Sequence, residues 1–189
     1  QAWVNRWIAQ LKRLVSHRRL REMGAECTAA AEVAFWAEFE HELARAVAQA
    51  QSAPVVFTLH VLRCTRRLVT VSAFEELRLA TLQQQCQPLF KFMHEVPLGP
   101  ILSAPSLPAL QAACRAFHAY LDGAALPVVY PAQRAAAFLA AVARDVAARA
   151  RALLRAQDVL RLGPEAFEAA TAPARALAAE WTRAGAVAA

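Results

Sequence analysis

Lysine is nearly missing from this chain, at only two positions, Lys12 and Lys91. Arginine carries the positive charge, and the balance of 21 Lys+Arg against 15 Asp+Glu gives a formal net charge of +6. A basic balance permits a nucleic-acid or acidic partner without establishing one. Glycine is also scarce. Five glycines stand singly, so there is no glycine-rich phosphate cradle and no G-x-x-x-x-G-K-[ST] loop. Long uncharged runs are absent within the helical pattern. The alanine-rich stretch between Arg134 and Arg144 offers nine residues, against the roughly 20 that a spanning helix needs. No compact apolar signal segment opens the chain either. The first residue is Gln, which reads as a piece of a longer chain.

Catalytic and metal-binding patterns are missing as well. Cys27, Cys64, Cys86 and Cys114 form no C-x-x-C pair. They read as free thiols in a reducing compartment, serving as small core hydrophobes. His17, His41, His60, His94 and His118 show no recognised ligand spacing with Glu or Cys. Glu75 and Glu76 are adjacent, so they diverge by about 100° on a helix and do not converge on one substrate. No enzyme activity, cofactor or metal is expected of this segment.

What is present is helical periodicity throughout 189 residues, enough for one domain or two small ones. Trp3, Val4, Trp7, Ile8, Leu11, Leu14 and Val15 form one stripe, with Met23-Gly24 as its stop. Trp3 and Trp7 share that stripe and read as packing or as a docking face. A second helix spans about 28–51, with Trp36, Phe39, Leu43, Val47 and Ala50 inward. Pro54 starts a third, about 54–72, because proline is tolerated in a first turn.

That third helix carries two stripes, one through Phe57, Val61, Cys64, Leu68 and Val71, the other through Val55, Leu59, Leu62 and Val69. So wide an apolar arc implies a central helix with neighbours on two sides. Arg63, Arg66 and Arg67 mark its exposed edge and are candidate partner-binding residues. A fourth helix covers about 74–87, and Pro88 restarts it as a short helix ending near Glu95. Residues 96–108 are the most loop-like, with one apolar turn around Ile101.

Ser106 caps the next helix, which buries Leu107, Leu110, Cys114, Phe117 and Leu121. A final helix carries Phe167, Ala170, Ala174, Leu177 and Trp181, and Pro173 should kink or split it. The expectation is an all-α chain of about seven antiparallel helices in consecutive bundles. Its sub-bundles would be 1–95 and 106–189, joined by loop 96–105.

The helix that follows Tyr130-Pro131 is the most informative. Pro131 suits a first turn, and Tyr130 can staple against it. With Val142 at the centre of the buried face, Ala135, Phe138, Val146 and Leu153 fall within about 40° of it. Arg144, Arg151 and Arg155 point away. Arg149 lies only about 20° from Val142, and Asp145 about 60° away. Spaced i, i+4 with the acid first, they form either a weak surface pair with a snorkelling arginine or a partly buried pair fixing helix register.

Five stretches in order carry a resemblance: "EVAFW" (32–36), "SAPVVFTLHVLRCTRRLVTVSAFEEL" (52–77), "VPLGPILSAPSLPAL" (96–110), "YPAQRAAAFLAAVARDV" (130–146) and "FEAATAPARALAAEW" (167–181). Together they resemble the N-terminal tail of dynein heavy chains, closest to the cytoplasmic type. The resemblance implies an elongated tail of helical bundles at microtubules in the cytoplasm. It implies partners as well: intermediate and light intermediate chains, a second heavy chain, dynactin and cargo adaptors. The ATP-hydrolysing ring of that family lies elsewhere in its chains. The contrasting reading is a free-standing basic helical protein that binds nucleic acid or an acidic protein.

Overall fold

A computed structural model of the chain describes residues 2–16, 20, 22–24, 27–124, 126–156 and 163–187, without the side chains of 177 and 180–187. His17, the basic residues Arg18, Arg19 and Arg21 on which a nucleic-acid reading would draw, and the side chains of Leu177 and Trp181 therefore lie outside the described residues. The described residues are all-α. They form α1 (Ala2–Leu14), α2 (Ala29–Ala50), α3 (Ala53–Cys64), α4 (Leu68–Glu75), α5 (Leu79–Glu95), α6 (Gly99–Leu102), α7 (Leu107–Gly123), α8 (Ala132–Ala156) and α9 (Pro164–Val187). None of these helices is long and apolar enough to cross a membrane.

Two compact units are present. One comprises Gln1–Ala25, Ala31–His94 and Pro127–Ala135, and the other Glu26–Ala30, Glu95–Leu126 and Ala136–Ala189. In the first unit, Trp36, Phe39 and Leu43 of α2 are buried, as are Leu89, Phe90, Phe92 and Met93 of α5. Phe39 and Phe90 meet with ring centroids 6.1 Å apart. Each such side chain, fully buried, contributes about 1.5–3 kcal/mol. A satellite cluster joins Val4 and Ile8 of α1 to Leu62 of α3 and Val71 of α4. In the second unit, Ile101, Leu107, Leu110, Cys114 and Phe117 are buried, with Phe138, Ala141, Val142 and Val146 of α8. The stretch 96–105 holds α6 and buries Val96, Leu98, Ile101 and Ala104 in this unit.

The expected third helix is two. α3 stops at Thr65, where Arg66 N–H donates to Arg63 O (3.0 Å) and Arg67 N–H to Leu62 O (2.8 Å). That pair of bonds is the Schellman arrangement, which needs a left-handed residue after the C-cap. Arg66 supplies it at φ 54°, a position glycine usually holds. Nor is this helix central. Only Val55, Leu59 and Leu62 of α3 are buried, while Phe57, Val61, Leu68 and Val69 are exposed. Cys64, expected in a core, is exposed too.

Two proline expectations change. α5 runs through Pro88 without restarting. Pro88 and Gln84, whose carbonyl loses its partner, both face solvent, where a missing helix bond costs least. α9 likewise runs through Pro173 as one assigned helix, and Phe167 on it is 40% exposed rather than inward.

Candidate functional site

The first unit buries one charged cluster. Glu32 sits one turn before Trp36 on the inward stripe of α2 and is 1% exposed. Its Oε1 accepts from Trp36 Nε1 (2.6 Å), Arg134 Nε (2.6 Å) and Tyr130 Oη (3.0 Å). Its Oε2 accepts from Arg134 Nη2 (2.8 Å), making the ion pair bidentate. Arg134, 3% exposed, also donates through Nη1 to Glu22 O (3.1 Å). Its guanidinium lies 4.2 Å from the Phe35 ring centroid and 5.0 Å from that of Trp36. Tyr130 meets Trp36 edge-on at 5.9 Å.

Every polar atom of the Glu32 carboxylate is thus engaged, which is the condition for tolerating a charge away from water. Burial first, then the nearby Glu32 charge and the hydrogen bond to it, push the Tyr130 hydroxyl well above its ordinary pKa of 10. Tyr130 is therefore a fixed donor. The cluster holds α2 against the Tyr130–Arg134 segment.

Asp145 and Arg149 of α8, in the second unit, reach backbone rather than each other. Asp145 Oδ2 accepts from Ala29 N–H (3.1 Å), an amide in the first turn of α2. A carboxylate there satisfies a donor that the helix cannot, and meets the positive end of its dipole. Arg149 Nε donates to Ala104 O (2.9 Å), and its Nη2 donates to the same oxygen. Arg144 Nη2 donates to Cys27 O (3.1 Å). The i, i+4 geometry expected of Asp145 and Arg149 gives way because unpaired backbone groups are the more demanding partners. Pro131 precedes α8, and its carbonyl accepts from Ala135 N–H (2.9 Å), so it stands one position before the first turn.

The candidate partner-binding residues are divided. Trp7 is buried, stacks on Phe74 at 5.6 Å and donates through Nε1 to Gln49 Oε1 (3.1 Å). It lines an open groove of about 450 Å³ with Leu11, Leu14 and Ala46. Trp3 is 43% exposed. Arg63, Arg66 and Arg67 are exposed, and Arg63 pairs with Glu75 in solvent, an arrangement worth about 0–1 kcal/mol. Among the described residues no group of three or more His, Cys, Asp or Glu converges as a metal site.

Glu32 and Arg134 were legible but overlooked. Glu32 precedes Trp36 by four residues, which places it on the same stripe. Arg134 lies about 80° from Val142 on the same edge as Asp145 and Arg149.

The model of one family, dynein heavy chain, N-terminal region 1, matches residues 1–186. The chain is similar to the cytoplasmic dynein heavy chain of Dictyostelium discoideum, 26% identical over 186 residues and 96% of this chain. It is 28% identical to that of Drosophila melanogaster over 173 residues, 89% of this chain. With that of Caenorhabditis elegans it shares 25% over 186 residues, 96% of this chain. It spans about 4% of the length of each of these relatives.

Proposed function

We propose, from the premise that the chain belongs to the dynein heavy chain N-terminal region 1 family, that it is a non-catalytic scaffold segment of a motor's tail. Its work is assembly: a rigid helical surface on which intermediate and light intermediate chains, a second heavy chain, dynactin or cargo adaptors are held. On this reading it acts in the cytoplasm on microtubules, and the ATP-driven ring belongs to another part of the polypeptide.

The observation that carries the reading is the match over residues 1–186. The site geometry agrees in kind. The buried Glu32, Tyr130 and Arg134 side chains are spent on one another and on backbone, which fits a part whose job is to keep its shape. Polar groups that are fully satisfied rigidify and specify one packing.

The test is purification of the full-length polypeptide that carries this segment. Intermediate and light intermediate chains are expected to co-purify, and deletion of residues 1–189 is expected to lower their recovery or that of the second heavy chain. A parent polypeptide with no P-loop repeats would overturn the reading outright, and unchanged assembly after the deletion would overturn the scaffold role.

A further inference from the structure

Among the described residues α3 leaves a largely apolar face open to water. At about 100° per residue, Val56, His60, Cys64, Phe57 and Val61 span an arc of about 140°. The buried Val55, Leu59 and Leu62 sit on the opposite side of the helix. Val56 is 52% exposed, Phe57 68% and Val61 39%. Leu68 and Val69, just after the turn, are exposed as well. Five of the eleven large exposed hydrophobics among the described residues therefore fall within 56–69. Scattered exposed hydrophobics need no explanation, but a concentration in one short stretch does.

The sequence around this face is predominantly basic. Residues 43–74 contain no Asp or Glu, while Arg45, Arg63, Arg66 and Arg67 all lie in that span and are exposed. Glu75 beyond it pairs with Arg63. The Schellman turn fixes Arg66 and Arg67 at the C-terminal end of α3, beside the apolar arc.

We infer that this face docks an acidic amphipathic helix of a separate protein. Three turns of α3, about 18 Å long, offer anchors at the i, i+3, i+4 and i+7 spacing that a partner helix presents in return. The arginines select glutamate or aspartate on its flanks and speed the encounter. A second copy of this chain would set the same arginines against themselves, which opposes a two-fold contact here. Nucleic acid would want several aromatic platforms interleaved with the cations, whereas this face carries a single phenylalanine, Phe57, among Val56, His60, Val61 and Cys64. The inference goes beyond the tail reading, because it rests on this surface alone.

Cys64 stands on the face and reports on it. The full-length polypeptide would be isolated with its bound subunits at about 0.15 M salt. Cys64 would then be followed by alkylation and by a thiol-tethered photocrosslinker, with mass spectrometry locating both ends. Alkylation is expected to be about tenfold slower than after dissociation in high salt, as for an occupant that leaves the face open about a tenth of the time. The crosslink should fall on an amphipathic, Glu/Asp-rich helix of another polypeptide. Phe57→Glu and Arg66→Glu should each remove the protection while circular dichroism and melting stay unchanged. The second substitution keeps the backbone demand at residue 66 and reverses only the charge. Crosslinks to the same polypeptide, to a second copy or to nucleic acid would overturn the inference, and so would a Cys64 that alkylates at the free rate. A complex that assembles fully with Cys64 open would remove this docking site and leave the tail reading standing.

Discussion

Glu32 and Arg134 are 1% and 3% exposed, while Phe57 and Val69 of the same compact unit are 68% and 86% exposed. Charge is inside in one place and hydrophobic surface is outside in the other. The two inversions have different physics. The buried ions bring their partners with them: four hydrogen bonds reach the Glu32 carboxylate, two of them from Arg134. The exposed apolar arc of α3 has no such cover among the described residues, which leaves it open to completion by something else. The comparison separates a device that fixes the fold from a surface left for binding, and substitutions should sort the same way.

The largest effect is expected at the buried pair. Arg134→Met strands the Glu32 carboxylate away from water and should cost about 3–5 kcal/mol in urea unfolding. The double variant Glu32→Leu with Arg134→Met should recover only part of that loss, because the apolar pair pays no ion desolvation but leaves the Trp36 Nε1–H and the Tyr130 hydroxyl without their acceptor. If Arg134→Met alone falls below about 1 kcal/mol, the typical net worth of one neutral hydrogen bond, the cluster is no more than a surface-grade contact and the contrast with α3 collapses.

Tyr130→Phe is next, at about 1.5–3 kcal/mol for a hydrogen bond to a charged group. It carries a pH signature as well. The native Tyr130 hydroxyl titrates above 10, so the folded state holds a proton that the unfolded state releases. Its contribution is complete below the unfolded pKa near 10 and is lost as pH rises beyond it. The native chain should therefore lose more stability between about pH 9 and 11 than the Phe variant, in unfolding series run side by side. Parallel losses would mean that Tyr130 is not held in its neutral form by the fold.

The second unit supplies an intermediate case. Asp145→Ala unmasks an amide in the first turn of α2 and should cost about 1 kcal/mol, as removal of a helix cap does. Arg155→Ala, on the exposed side of α8, should stay within about 0.5 kcal/mol. Equal small effects in the same unfolding assay would return Asp145 to the ordinary surface.

How much of this was legible follows from what periodicity encodes. The inward face of α8, with Ala135, Phe138, Val142, Val146 and Leu153, is buried as its spacing requires. Ser106 caps α7, accepting from Ala109 N–H. The all-α class was readable from the same patterns, and the family resemblance from the five stretches in their order. The break at Thr65–Arg67 was not, since it turns on an arginine taking a left-handed backbone where glycine would have signalled a stop. The exposed arc of α3 was not either, because a stripe reports only that a face is apolar and says nothing about what covers it. Glu32 and Arg134 escaped for the opposite reason. A charged residue on an inward stripe invites dismissal until its partner, about a hundred residues away in the chain, is known.

The smallest effect should come from the largest apolar group on α3. Phe57 is 68% exposed, so replacing it by Ser removes little that folding buries. Surface substitutions of this kind stay within about 0.5 kcal/mol, and the melting midpoint should hardly move. A phenylalanine that contributes so little to the fold, beside a buried arginine that contributes so much, is what a surface retained for contact looks like. A loss of about 2 kcal/mol or more would place Phe57 among the core side chains that large-to-small substitution hollows out. It would take α3 out of the comparison, because its apolar arc would already have its cover within the chain.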